Sequence, residues 1–125
     1  MSIYAYCRVS TKHQRIARQI TNITEVYPNA TIIREFFTGT TQSRPHWDRL
    51  MAIIKKEDTI VFDSVSRMSR NAGEGFKDYK VLYELGVNLV FLNEPLINTS
   101  VPNLTFANIV LILLKKGLQK AQNTA

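Results

Sequence analysis

Tyr6-Cys7-Arg8-Val9-Ser10-Thr11 is the stretch on which the reading of this chain turns. An apolar run from Ile3 to Val9 leads into it, and a helical pattern beginning near Lys12 leaves it. The run is rich in β-branched and aromatic residues and alternates only weakly, which fits a strand covered on both faces. A serine therefore stands where a strand gives way to a helix, two residues after an arginine. In α/β folds the carboxyl ends of strands are where ligands and chemistry collect. Backbone N–H groups at the start of the next helix favour an anionic group there. A hydroxyl, a guanidinium and a helix start at one strand exit point to a nucleophile facing a phosphate. The plainer alternative is that Ser10 serves only as the helix N-cap.

The same strand–helix alternation continues outward. Ile16, Ile20, Ile23 and Tyr27 fall on one face of a helix over Lys12 to Tyr27, and Pro28-Asn29 stops it. Thr31 to Phe37 reads as a second strand, followed by the polar loop Thr38 to Ser43. Pro45 suits the first turn of a helix whose apolar stripe is Trp47, Leu50, Met51 and Ile54. Thr59 to Phe62, extended to Asp63, is a third strand, and Ser64 to Asn71 is a polar loop. A helix from Gly73 to Leu85 groups Phe76, Tyr79, Leu82 and Tyr83, with Gly86 as its terminator. Val87 to Leu92 is a fourth strand, Asn93 to Asn103 a loop, and Leu104 to Gln122 a last helix.

That order predicts an α/β fold: a mainly parallel sheet of about four strands with helices on both faces. Right-handed crossovers then bring the residues after each strand to one edge. Arg8, Ser10, Arg44, Arg67 and Arg70 are thereby gathered on one rim.

A chain of 125 residues is long enough for one domain with its own core. Its net charge of +6 favours an anionic partner. Arg8, Lys12, Arg15 and Arg18 all precede the first acid, Glu25, and Lys115, Lys116 and Lys120 follow the last, Glu94. Cys7 is the only cysteine, which rules out an internal disulfide and a cysteine zinc cluster. The apolar run Phe106 to Leu114 is too short to span a bilayer, and no signal peptide is visible, so no membrane partner and a cytoplasmic location are expected.

One hydroxyl with a set of guanidiniums suits attack on a phosphodiester. Charge spreads over the non-bridging oxygens in phosphoryl transfer, and fixed positive donors stabilise it. Arginine matches those oxygens with a planar fork that stays charged. Glu35, Asp63 and Glu94 are isolated in sequence, so no metal site is expected.

Here the residues carry a resemblance. Tyr6-Cys7-Arg8-Val9-Ser10-Thr11, with Gln14 and Gln19, resembles the amino-terminal motif of the serine recombinases, the resolvase/invertase family. The glycine loop ending in Ser43-Arg44-Pro45 is similar to that family's second motif, and Ser66-Arg67-Met68-Ser69-Arg70-Asn71 to its third. The resemblance implies a resolvase-like catalytic fold and a DNA strand-exchange enzyme. It implies that Ser10 attacks the scissile phosphate to give a 5′-phosphoserine link and a free 3′ hydroxyl. It implies too that Arg8, Arg67 and Arg70 bind and stabilise that phosphate, with Arg67 assisting protonation of the leaving oxygen. Gln14, Gln19, Arg44 and Glu35 match supporting or substrate-binding positions. DNA is the implied partner, with a homodimer that pairs into a tetramer in the synaptic complex, and no cofactor is implied.

The chain also departs from the family pattern. Ser66 stands where the family usually places an acid, and Glu35 where it prefers aspartate. The family continues through a long dimerisation helix into a DNA-binding domain. The expectation here is a catalytic domain over 1–102, a shortened dimerisation helix over 103–125 making an oligomer contact, and no DNA-binding domain. A second reading is a catalytically degenerate module that assembles with, or regulates, an active relative. A nucleotide-binding protein of flavodoxin type lacks support, because no Gly-x-Gly-x-x-Gly or P-loop spacing occurs.

Overall fold

Alternation within the first strand sets up both layers of the molecule. In the computed structural model, which describes residues 1–9, 16–36, 44–69 and 72–101, the strand is β1 (Ile3–Val9). Tyr6 points into one buried cluster, while Ala5 and Cys7 point into another on the opposite face. α1 (Ile16–Val26) covers the Ala5/Cys7 face with Ile16, Ile20 and Ile23, joined by Tyr27 just past its end. The small side chains of Ala5 and Cys7 leave room for α1 to lie close to the sheet.

Three further strands complete the sheet: β2 (Thr31–Phe36), β3 (Thr59–Phe62) and β4 (Asn88–Phe91). All pairs are parallel, in the order β2-β1-β3-β4. The chain moves from β1 to β2 in one direction, then reverses through α2 (Pro45–Ile53) to β3 and through α3 (Ala72–Leu85) to β4. Parallel crossovers keep one hand, so the reversal sends α2 and α3 to the face opposite α1. The cores agree: Trp47, Leu50, Tyr79 and Leu82 pack with Tyr6, Phe62 and Phe91. This face is the bulkier one, and Phe62 and Phe91 stack with centroids 5.0 Å apart. Each of these large side chains contributes about 1.5–3 kcal/mol by burial, so this layer dominates the core.

The predicted α/β fold, with its parallel sheet of about four strands and helices on both faces, is therefore the observed one. Boundaries differ for physical reasons. The fourth strand begins at Asn88, because the Val87 N–H is taken by the Leu82 carbonyl at 3.0 Å in the helix terminus. That terminus needs Gly86, whose φ of +89° is the left-handed conformation glycine adopts most easily. The third strand ends at Phe62, and the loop after it contains a 3-10 turn, Val65–Arg67. A second 3-10 turn, Pro95–Ile97, lies inside the segment read as a loop after the fourth strand. Tyr83, grouped with Tyr79 in the sequence reading, stacks on it and is 44% exposed. The last helix over Leu104 to Gln122, and with it the division at residue 102 and the oligomer contact, lies outside the described residues. No helix among the described residues is long and apolar enough to cross a membrane.

The reversal of chain direction places a switch point between β1 and β3. In such sheets the crevice for a ligand opens beyond the carboxyl ends of those two strands.

Candidate active site

Arg8 is the next-to-last residue of β1, at that crevice, and is buried. Pairing of β1 with β3 stops at Ala5, so the backbone of Arg8 finds a partner elsewhere. Gln19, buried on the sheet side of α1, supplies it. Its Oε1 accepts the Arg8 N–H and its Nε2 donates to the Arg8 carbonyl, each at 3.0 Å. The Arg8 side chain reaches across to the segment after β3. Its Nη2 donates to the carbonyls of Ser66 at 2.8 Å and Ser69 at 3.2 Å.

Arg67 sits on the 3-10 turn and meets Arg8 from the other side. Its Nη1 donates to the Arg8 carbonyl at 3.3 Å. The Arg67 Nε is buried and has no hydrogen-bond partner among the described residues. A buried donor left open costs about 1–3 kcal/mol, so this N–H is a site that an incoming acceptor relieves.

Arg44 is held differently. It precedes α2, and its Nη1 donates to the Met68 carbonyl at 2.8 Å. Its Nη2 donates to Asp78 Oδ2 at 3.1 Å and lies 3.5 Å from Glu74. The guanidinium lies 4.9 Å from the centroid of the Trp47 ring. Arg44 thus ties the turn carrying Arg67 to α3. Burial raises the Asp78 carboxyl above its ordinary range, and Arg44 opposes that shift.

Glu35 caps a helix. α2 begins at Pro45 without a side-chain cap from Arg44. The Glu35 carboxylate, buried at the end of β2, fills that place. Its Oε1 accepts from the Trp47 N–H and the Tyr6 hydroxyl, each at 2.9 Å, and its Oε2 from the His46 N–H at 3.2 Å. A carboxylate suits the positive end of a helix. Burial, then the Glu35 charge, pushes the Tyr6 hydroxyl well above its usual range.

Sequence reasoning missed the contacts of Glu94 and of Asn22. Glu94, isolated in sequence, accepts the Val65 N–H at 2.7 Å and the Ser64 hydroxyl at 3.2 Å, at the base of the Arg67 turn. Asn22 on α1 donates to Asp63 at 3.0 Å, joining α1 to the exit of β3. The only available hint was position: Asp63 and Glu94 both follow strands, as Ser10 does. Among the described residues no group of three or more His, Cys, Asp or Glu could hold a metal ion.

Of the residues singled out from sequence, Arg8, Gln19, Arg44 and Arg67 are brought together by direct contacts or through one shared turn. Glu35 acts on the same region through α2. Ser10, Gln14 and Arg70 lie outside the described residues.

Comparison with known proteins gives the family and the fold. The family described as "Resolvase, N terminal domain" matches residues 3–120. The Tn917 transposon resolvase of Enterococcus faecalis is 27% identical over 92 residues, covering 74% of this chain and 50% of that protein. The serine recombinase PinR of Escherichia coli K12 is 32% identical over 93 residues, covering 70% and 47%. The chain thus spans about half the length of the curated relatives it matches. Among solved structures, the N-terminal catalytic domain of TP901-1 integrase superposes with a TM-score of 0.67 at 23% identity, covering 99% of this chain and 98% of that one. A resolvase family site-specific recombinase from Streptococcus pneumoniae gives 0.66 at 20% identity, covering 99% and 93%. Both structures share the fold.

Proposed function

Because the chain belongs to the resolvase N-terminal domain family, we propose that it is the catalytic domain of a serine-type site-specific DNA recombinase. The single observation that carries this reading is the meeting of Arg67 with the backbone of Arg8, at 3.3 Å. Arg8 lies two residues before Ser10 in the chain, and Ser69, whose carbonyl holds Arg8, lies one residue before Arg70. Arg8 and the Arg67 turn thus converge at the switch point, where a ligand is expected.

In this reading Ser10 Oγ attacks the scissile phosphorus. A bond forms from Oγ to phosphorus, and the bond from phosphorus to the 3′ oxygen breaks. The Ser10 proton leaves, and the 3′ oxygen departs as a hydroxyl after gaining one. Arg8, Arg67 and Arg70 hold the non-bridging oxygens, where charge builds up. The open Nε of Arg67 offers a donor for one of them. Gln19 acts through the Arg8 backbone, Arg44 through the Met68 carbonyl and Glu35 through α2, while Gln14 supports the nucleophile's segment. Reversal of the attack by a new 3′ hydroxyl rejoins the strands, so the bond energy stays in the protein–DNA link and no cofactor enters. DNA is the substrate, and a dimer that pairs into a tetramer is the working unit.

The test is formation of a denaturant-resistant DNA adduct. Wild-type protein gives an adduct through the 5′ phosphate, and Ser10→Ala gives none while keeping its fold. An adduct that survives in Ser10→Ala overturns the assignment of the nucleophile.

A further inference from the structure

We propose that Glu94 is a positioning residue for the Arg67 turn, acting from the exit of β4 on a segment thirty residues earlier. The proposal rests on the recombinase reading for its functional consequence, and on geometry alone for its mechanism.

The turn Val65–Arg67 has no cap of its own. Ser64 stands in the N-cap position but makes no side-chain cap hydrogen bond. Glu94 takes the place of that cap from another strand. Its Oε1 accepts the Val65 N–H at 2.7 Å, a short, charge-assisted bond in a buried setting. Its Oε2 accepts the Ser64 hydroxyl at 3.2 Å. A hydroxyl has one proton to give. Ser64 gives its proton to Glu94, so in its 3.4 Å contact with Ser66 the Ser66 hydroxyl is the donor. The carboxylate therefore orders a chain, Ser66 to Ser64 to Glu94, along the turn.

What the turn presents to the crevice rests on the anchoring of its first residue, Val65, by that carboxylate oxygen. The Ser66 carbonyl holds Arg8 Nη2, and Arg67 Nη1 holds the Arg8 carbonyl. Glu94 itself is fixed, because Leu92 and Asn93 donate to the carbonyls of Phe62 and Asp63, extending the β3–β4 contact past the strand ends. The carboxylate is thus carried on the sheet rather than on a free loop. Moving a preorganised group by about 1 Å costs on the order of a hundredfold in rate.

The test reads the turn and the chemistry separately, in the full chain. Nitrogen-15 NMR of wild type, Glu94→Ala and Glu94→Gln follows the Val65 amide and the Arg8 and Arg67 Nε–H signals. In Glu94→Ala the Val65 amide proton moves upfield, and both arginine signals shift. Glu94→Gln keeps an oxygen for the Val65 N–H, and its amide can donate to Ser64. It leaves the arginine signals near their wild-type positions. Adduct formation follows the same order: a loss of about tenfold to a hundredfold in Glu94→Ala, with DNA affinity unchanged, and recovery to within about threefold in Glu94→Gln.

Arginine signals unmoved in Glu94→Ala overturn the proposal, and so does a Gln variant as disturbed as the Ala variant. If Glu94→Ala fails to fold, Glu94→Asp, whose carboxylate is one methylene short of Val65, takes its place, and arginine signals unmoved in Glu94→Asp overturn the proposal. Should wild type form no adduct while the NMR shifts occur as described, the recombinase reading fails and the positioning role stands.

Discussion

Gln19 closes a two-point hydrogen-bonded bridge on the backbone of Arg8, its amide accepting the N–H and donating to the carbonyl, each at 3.0 Å. A side chain here does what a neighbouring strand does elsewhere in the sheet. Past its pairing with β3, which ends at Ala5, β1 is held on one edge by β2 as far as Val9 and on the other by Gln19, and so carries Arg8 into the crevice.

Gln19→Ala leaves the Arg8 N–H buried without its acceptor. The expected loss is about 1–3 kcal/mol, read as a lowered urea midpoint with an unchanged slope. Gln19→Glu keeps the acceptor and loses the donor, and is expected to be destabilised as well, because a carboxylate then faces the Arg8 carbonyl.

Arg44 joins α3 to the Arg67 turn through Met68, Asp78 and Glu74. Its side chain is only 12% exposed, so the pair is not screened as a surface salt bridge is. Arg44→Ala is expected to cost about 3 kcal/mol, since it strands the half-buried Asp78 carboxylate. Arg44→Lys restores only a minor part, because a single ammonium cannot serve the Met68 carbonyl and Asp78 as a fork does. Thermal melting of the two variants checks the order.

Glu35→Gln tests the cap on α2. The amide oxygen can still accept from the Trp47 N–H and the Tyr6 hydroxyl, but the NH2 group then meets the His46 N–H. A loss of about 1–2 kcal/mol is expected, measured by denaturant unfolding.

Alkaline pH tests the burial of β1. Burial, then the Asp63 charge, pushes the Cys7 thiol from 9.0 up to about 11. The folded chain therefore keeps this proton where the unfolded chain loses it. Cys7 contributes its full stability below about pH 9, and that contribution falls away as pH rises towards 11, reaching about 3 kcal/mol lost. Tyr6 and Tyr79 shift in the same direction. Urea midpoints at pH 7 and pH 10.5 are expected to differ less in Cys7→Ala than in wild type.

Periodicity carried the fold because it is a local property. Ile3 to Val9 was legible as a strand residue for residue, and Ile16, Ile20, Ile23 and Tyr27 as one helical face, since each signal lies within a few residues. Gly86 was legible for the same reason. The expected gathering of Arg8, Arg44 and Arg67 followed from strand order and crossover handedness. What was not legible depends on pairs distant in sequence. Glu94 reaches Val65 across 29 positions, and Arg44 reaches Asp78 across 34. Glu35 was matched to the site by resemblance, whereas its contacts are those of a helix cap. Nothing in its own neighbourhood shows that α2 starts without a side-chain cap.

The most direct measurement is the location of a DNA remnant on the protein. After reaction with DNA, nuclease trimming and proteolysis, mass spectrometry is expected to find a nucleotide joined through its 5′ phosphate to the peptide containing Ser10, and to no other peptide. A nucleotide on a different residue, or DNA cleaved with no residue modified, contradicts the account.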